Sequence, residues 1–183
     1  MVLEALNISQ EKIRSYVNLF FQRLPHCLEE AFITKPPCSC PGVKSLLKGI
    51  LSSTTAEIAL LTGNSLNSGL VKLKACDIDL SFFNLEFSAF GDTERVRSRL
   101  VEKVIKDSHN MLWDRVIVIG DTPEDVKAAK DNNCISVAVA TGHYSFQDLQ
   151  VSHSDLVISQ FSDDQEENVS LLGFLPNRSC HQH

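Results

Sequence analysis

The run Val116-Ile-Val-Ile-Gly-Asp-Thr-Pro-Glu-Asp125 is where residue types and spacing come closest to chemistry. An apolar strand delivers Asp121 to its carboxyl end, Gly120 lets the backbone turn, Pro123 suits the first turn of a helix, and Asp125 follows four residues after Asp121. Two carboxylates are expected in one crevice. Oxygen ligands at a strand end suit magnesium, a hard cation that takes carboxylates, keeps waters and bridges to phosphate. The competing structural reading makes Asp121 a helix cap and Asp125 a charge favoured by the helix's positive end. A second signal is Leu60-Leu-Thr-Gly-Asn64, a buried strand ending in a hydroxyl and a glycine at a helix start. There Thr62, Gly63 and Asn64 would hold a phosphate oxygen, because helix N-termini attract anions. An ordinary turn with Asn64 or Ser65 as the helix cap explains the same residues. Arg97 is the third candidate, a cation that would neutralise a transferring phosphoryl group or else belong to a solvated helix face.

The elements that must position these residues follow from apolar periodicity. Leu6, Ile13, Val17, Phe20, Phe21, Leu24, Leu28 and Phe32 recur at three- and four-residue steps, which predicts a helical pair broken at Pro25, with Asn7 or Ser9 as first cap. Lys35-Pro-Pro-Cys-Ser-Cys-Pro-Gly42 is an extended linker and a module boundary. Beyond it the pattern predicts a helix over 43–51, a strand over 57–62, a helix through Leu66, Leu70 and Leu73, and a strand within 80–90. A helix over about 94–111, a strand over 115–120, a helix over 123–132, a strand over 135–140 and a short strand at 156–158 complete the series. Alternating strands and helices mean an α/β fold on a parallel sheet. The expected organisation is a helical piece over 1–35, an α/β core over 36–161, and a polar tail over 162–183 whose acidic run Asp163, Asp164, Glu166 and Glu167 reads as disordered.

The chain has 183 residues, 43% hydrophobic and 22% charged, with 17 basic against 23 acidic side chains and a net charge of −6. That is one globular domain with a small appendage, and no basic stripe offers itself to nucleic acid. Apolar runs such as Ile58–Leu61 fall far short of the ~18 residues that span a bilayer. No secretory leader is apparent, so a cytoplasmic location and reduced thiols are expected for the six cysteines. Cys38 and Cys40, even with Cys180, His181 and His183, lack the usual zinc-knuckle spacing. Of the other histidines, only His143 follows a loop near the expected crevice, and Trp113 is expected to pack.

Thr62, Arg97 and the Gly120-Asp121-Thr-Pro-Glu-Asp125 run, in this order, resemble the haloacid dehalogenase superfamily, most closely its phosphoglycolate phosphatase-like hydrolases. The resemblance covers the chain to about residue 160. It implies a Rossmann-like core with a helical cap before Pro36, a phosphoryl-binding hydroxyl at Thr62, magnesium at Asp121 and Asp125, and a small phosphorylated metabolite as substrate. Arg97 would stand in for the third-motif lysine, with Arg95, Arg99 and Lys103 as rivals, and Val137-Ala-Val-Ala-Thr-Gly142 resembles the strand and loop that follow the acidic motif.

The Asp-x-Asp-x-Thr motif that carries the family's nucleophile and acid/base is absent. Asp77-Ile-Asp79 precedes an apolar run instead of ending one, and reads as a loop. The resemblance therefore implies an inactive chain and a sheet without its first, central strand. The edges flanking that gap, at Thr62 and Asp121, would be open to a partner or an oligomer. It also implies that Met1 falls in mid-cap sequence, as in an alternative start, a truncated gene model or a degraded gene. A non-catalytic phosphate-binding or regulatory module is the alternative function. A signalling receiver domain has the wrong motif order, and the serine-hydrolase elbow fails at Asn67, where glycine is required.

Overall fold

The computed structural model describes residues 9–92, 94–108 and 113–175. Seven helices and five short strands lie among these residues. Helix α1 (Gln10–Thr34) is capped by Ser9, whose hydroxyl accepts from the Lys12 amide at 3.4 Å, and it runs unbroken through Pro25. The expected break is thus corrected: one 25-residue helix replaces a pair. Proline removes one backbone hydrogen bond, but the turns on either side keep their own, and the apolar spacing continues through Phe21, Leu24 and Leu28. Asn7, the other candidate cap, lies outside the described residues.

The linker 35–42 is irregular, as its prolines require. It ends at Gly42, whose φ of +72° starts α2 (Val43–Ser53), and a Cβ there would fall 2.2 Å from the Phe161 carbonyl oxygen. Strand β1 is only Leu61–Thr62, shorter than the apolar run implied. The segment before it bonds to a loop rather than a strand, with the Leu60 amide on Ser88 Oγ at 2.9 Å and the Asn84 amide on the Ile58 carbonyl at 2.8 Å. Helix α3 (Leu66–Ala75) packs against α1. A 3-10 turn at Leu80–Phe82 is capped by Asp79, so Asp77-Ile-Asp79 is a loop. Strand β2 (Ala89–Phe90) pairs in parallel with β1, Thr62 opposite Phe90.

Helix α4 (Arg97–Asp107) leads to β3 (Ile117–Gly120), α5 (Pro123–Asp131), β4 (Ile135–Val139), α6 (Phe146–Val151) and β5 (Leu156–Ile158). β3, β4 and β5 form one parallel sheet in that order, with Gly120 opposite Ala138 and Val139 opposite Ile158. β4 is buried along its whole length, whereas β3 has one neighbour and leaves Ile119 exposed. The two ladders are not joined by a strand among the described residues. Apolar packing joins them: Leu61 of β1 lies against Val101, Val118, Ala128, Ala129 and Cys134, and α4 touches β1, β2 and α5.

The acidic tail is the second correction. Residues 165–173 form helix α7 (Gln165–Gly173), with Asp164 accepting from the Glu166 and Glu167 amides at 2.8 and 3.2 Å. The acidic run is a helix start, where negative charge favours the dipole. Leu172 joins Leu46, Val137, Val139 and Phe161 in a core cluster, and buried Asn168 ties the Ser162 backbone at both its amide and its carbonyl. Residues 176–183 lie outside the description.

Candidate functional site

The acidic motif forms as a strand, a turn and a capped helix. Thr122, not Asp121, is the cap of α5: its hydroxyl accepts from the Asp125 amide, and Asp125 Oδ2 accepts from the Thr122 amide at 3.2 Å and hydroxyl at 2.8 Å. The remaining oxygen, Oδ1, accepts from Arg97 Nε at 2.6 Å. Asp125 is 2% exposed and Arg97 30%, so this is a largely buried, charge-assisted pair. Gly120 is required beneath it, since a Cβ there would sit 2.3 Å from Asp125 Cγ. Asp121 is exposed and makes no hydrogen bond with any described residue. Its carboxylate lies over Gly142, where a Cβ would fall 2.0 Å from Oδ2.

A resident magnesium needs several oxygen ligands in near-octahedral array. Asp121 offers one free carboxylate, while Asp125 is neutralised by Arg97 and closed by Thr122. Among the described residues no group of three or more His, Cys, Asp or Glu is placed to hold a metal. Of the two acids that the sequence resemblance implied for the ion, Asp121 is the one left open to a cation as arranged.

At the end of β1, Thr62 Oγ1 accepts from the Asn64 amide at 3.1 Å and from Asn64 Nδ2 at 2.8 Å. Both bonds use its lone pairs, so its O–H remains free to donate, with no acceptor among the described residues. Asn64 is itself occupied, because its Oδ1 accepts from Lys72 Nζ at 2.7 Å. The first amides of α3 are likewise taken, Leu66 by Asp92 at 3.3 Å and Ser68 by the Ser65 cap at 3.4 Å. Open space remains over Gly63, where an added Cβ would meet nothing within 4 Å. The loops after β1 and β2 are pressed together there: the Gly91 amide donates to the Asn64 carbonyl at 2.8 Å, and a Gly91 Cβ would strike the Gly63 carbonyl oxygen at 2.1 Å.

The four basic candidates separate cleanly. Arg97 is bound to Asp125, Arg99 lies 3.7 Å from Glu94, and Lys103 pairs with Asp107. Arg95 makes no ion pair among the described residues. It borders a cleft of about 550 Å³ lined by Tyr16, Val17, Phe20 and Phe21 of α1 and by Gly63 and Gly91. Beside it the amides of Val96 and Arg95 hold the Glu94 carboxyl below the usual carboxylate range. Sequence reasoning named Arg95 only as a rival of Arg97, and did not single out Lys72 at the Thr62 loop or the aromatic row of α1 for this site. Only the 16, 17, 20, 21 spacing signals the row, and it reads equally as a packing face.

No hydrogen bond or ion pair joins Thr62 to Asp121 or Asp125, and the segment 94–97 links the two halves, with Arg95 on one and Arg97 on the other. His143 is exposed, and Trp113 Nε1 donates to Ser108 Oγ at 3.1 Å, a packing role. Cys38 and Cys40 are exposed free thiols. Cys180, His109, His181 and His183 lie outside the described residues. No described helix is long and apolar enough to cross a membrane.

Comparison with known proteins bears on this geometry. Residues 97–164 match a family model described as HAD-hydrolase-like. No curated protein matches the chain. Among solved structures it is similar to a hydrolase from Pseudomonas syringae, with 19% identity, TM-score 0.64, and 90% of this chain and 71% of that one covered. It is also similar to a haloacid dehalogenase-like family protein from Streptococcus pneumoniae, with 17% identity, TM-score 0.64, and 94% and 74% covered. A beta-phosphoglucomutase from Clostridium difficile matches with 19% identity, TM-score 0.55, and 73% and 58% covered. The chain spans 58% of that enzyme's length and 60% of a matching Thermotoga maritima structure. Over residues 97–164 the chain is thus similar to HAD-like hydrolases, and it shares the parallel α/β fold of these solved structures.

Proposed function

We propose that the chain carries a phosphomonoesterase-type site for a small phosphorylated metabolite, and that these 183 residues bind the phosphoryl group without turning it over. The observation that carries this reading is the state of the two acids. Asp125 is consumed by Arg97 and Thr122, which leaves Asp121 alone, and covalent phosphoryl transfer needs a carboxylate in line with phosphorus besides the groups that neutralise charge. The binding half is better supplied. The Thr62 O–H and Arg95, both without a partner among the described residues, and the open backbone at Gly63 supply a donor, a cation and space at the ends of β1 and β2. Arg97 then acts as a positioning residue that holds α5 and the Asp121 turn, rather than as the charge stabiliser.

The test is turnover of a generic aryl phosphate with and without added magnesium, beside calorimetric titration with inorganic phosphate. Expected are no turnover under either condition, and phosphate binding that Thr62→Val weakens about tenfold, the share of one charge-assisted hydrogen bond. Turnover abolished by Asp121→Ala would overturn the non-catalytic reading. A second reading, a module that accepts an extended segment from a partner, is favoured by the outer edges of β1 and β3, which pair with no strand among the described residues. It predicts a defined oligomer by light scattering, or capture of an apolar strand peptide, neither of which the phosphate-binding reading requires.

A further inference from the structure

The cleft beside Gly63 has a mixed lining. Gly63 and Gly91 border it together with Arg95, which makes no ion pair among the described residues, and Tyr16, Val17, Phe20 and Phe21 of α1 supply the rest. Tyr16 and Phe20 are 56% and 57% exposed, and Phe20 meets Phe21 edge to face with ring centroids 5.7 Å apart. Exposed aromatic surface that shares a cleft with a charged group is a recognition feature. Its volume, about 550 Å³, falls inside the range of small-molecule sites.

We infer that this cleft takes a phosphomonoester of an aromatic alcohol, with the phosphoryl group toward Gly63 and Arg95 and the ring against Tyr16, Phe20 and Phe21. The inference rests on the reading of the Thr62–Gly63 loop as an anion site and adds the class of its ligand. A phosphorylated polyol is the disfavoured alternative. Its hydroxyls would leave water for a wall on which only the Tyr16 hydroxyl and aromatic faces await them, and unpaired polar groups lose more than they gain. An aryl group loses no hydrogen bonds there and gains apolar contact and ring packing. Arg95 can also lie over the ester's own ring, a stacking geometry that lysine does not offer.

The whole chain would be titrated by calorimetry with inorganic phosphate, phenyl phosphate, glycerol 3-phosphate and phenol. Phenyl phosphate is expected to bind at least about 10-fold more tightly than glycerol 3-phosphate, the share of one partly buried ring. Phe20→Ser should remove that preference and leave inorganic phosphate unchanged, with far-ultraviolet circular dichroism confirming that α1 persists. Arg95→Gln should weaken all three phosphates together and leave phenol unchanged. Equal affinities for phenyl phosphate and glycerol 3-phosphate, both weakened by Thr62→Val, would overturn the inference while leaving the anion site standing. Phenyl phosphate binding no better than phenol would overturn the anion site itself, and the inference with it.

Discussion

Replacing Arg97 by methionine separates a structural arginine from a ligand-binding one. The guanidinium lies 2.6 Å from a carboxylate that is 2% exposed, and methionine keeps the apolar stem while deleting the charge. Removing one member of a buried ion pair costs about 3–5 kcal/mol, because the charge left behind has lost its compensation. Two corrections lower that figure here. Asp125 retains both Thr122 bonds, and Arg97 is 30% exposed, so water reaches the vacated position. A loss of about 2–3 kcal/mol is expected, which for a chain of this length lowers Tm by about 4–12 °C. Thermal and urea unfolding of the wild type, Arg97→Met, Asp125→Asn and the double variant would form a cycle. The double variant should be less destabilised than the two single losses added together, since the second change removes the orphaned charge. Phosphate affinity of Arg97→Met, measured below its transition, should match the wild type. The reasoning is refuted if Arg97→Met unfolds within a degree of the wild type yet no longer binds phosphate.

Three further outcomes follow from the same geometry. Pro25→Ala should stabilise α1 by restoring the missing amide, raising Tm by a few degrees in a melt followed by circular dichroism, with ~3 kcal/mol as the upper bound. Gly91→Ala forces a Cβ to within 2.1 Å of the Gly63 carbonyl oxygen, so the β1 and β2 loops must part; calorimetry should show lost phosphate binding, while Gly173→Ala, where nothing lies within 4 Å, should be silent. Asp148 closes a capping box with Ser145, whose hydroxyl and amide hold its carboxyl below the usual carboxylate range. Its folded-state value is the lower one, so its contribution is present above the unfolded value and is lost as pH falls through the folded one. Asp148→Asn should therefore show a shallower loss of urea midpoint than the wild type as the pH is lowered below about 4.

How legible this was in the sequence depends on which interactions define each element. The series β3, α5, β4 and β5 was readable because apolar runs and the Pro123 start are local signals, and the observed ends differ from the expected ones by at most two residues. β1 shrank because Ser88 and Asn84, more than twenty positions away, take the backbone groups of its first half, a contact that periodicity does not carry. α7 was missed for a related reason: four acids in five positions read as a solvated run, whereas the deciding groups are Asp164 as a cap and Leu172 reaching a core made by β4 and α2. At the candidate site, which arginine is spent and which is open depends on geometry that the sequence does not carry. Arg95 and Arg97 are two residues apart and indistinguishable by type, and only the reach of Asp125 separates them.

The split into two parallel ladders shapes how the molecule opens. β3, β4 and β5 hold one another through consecutive neighbours, and β4 is shielded on both edges and both faces. The β1–β2 pair holds only two registered residues on each side and leans on the rest through α4 and the packing of α2 on the 80–82 turn. Amide hydrogen exchange should accordingly resolve two tiers, with β4 slowest and the β1–β2 ladder released in openings that leave β3 to β5 intact. The Thr62–Gly63 loop then sits on the more labile tier and the acidic motif on the firmer one. A ligand gripping Thr62 and Arg95 would slow exchange mainly in the half it touches, because it stabilises only what it binds.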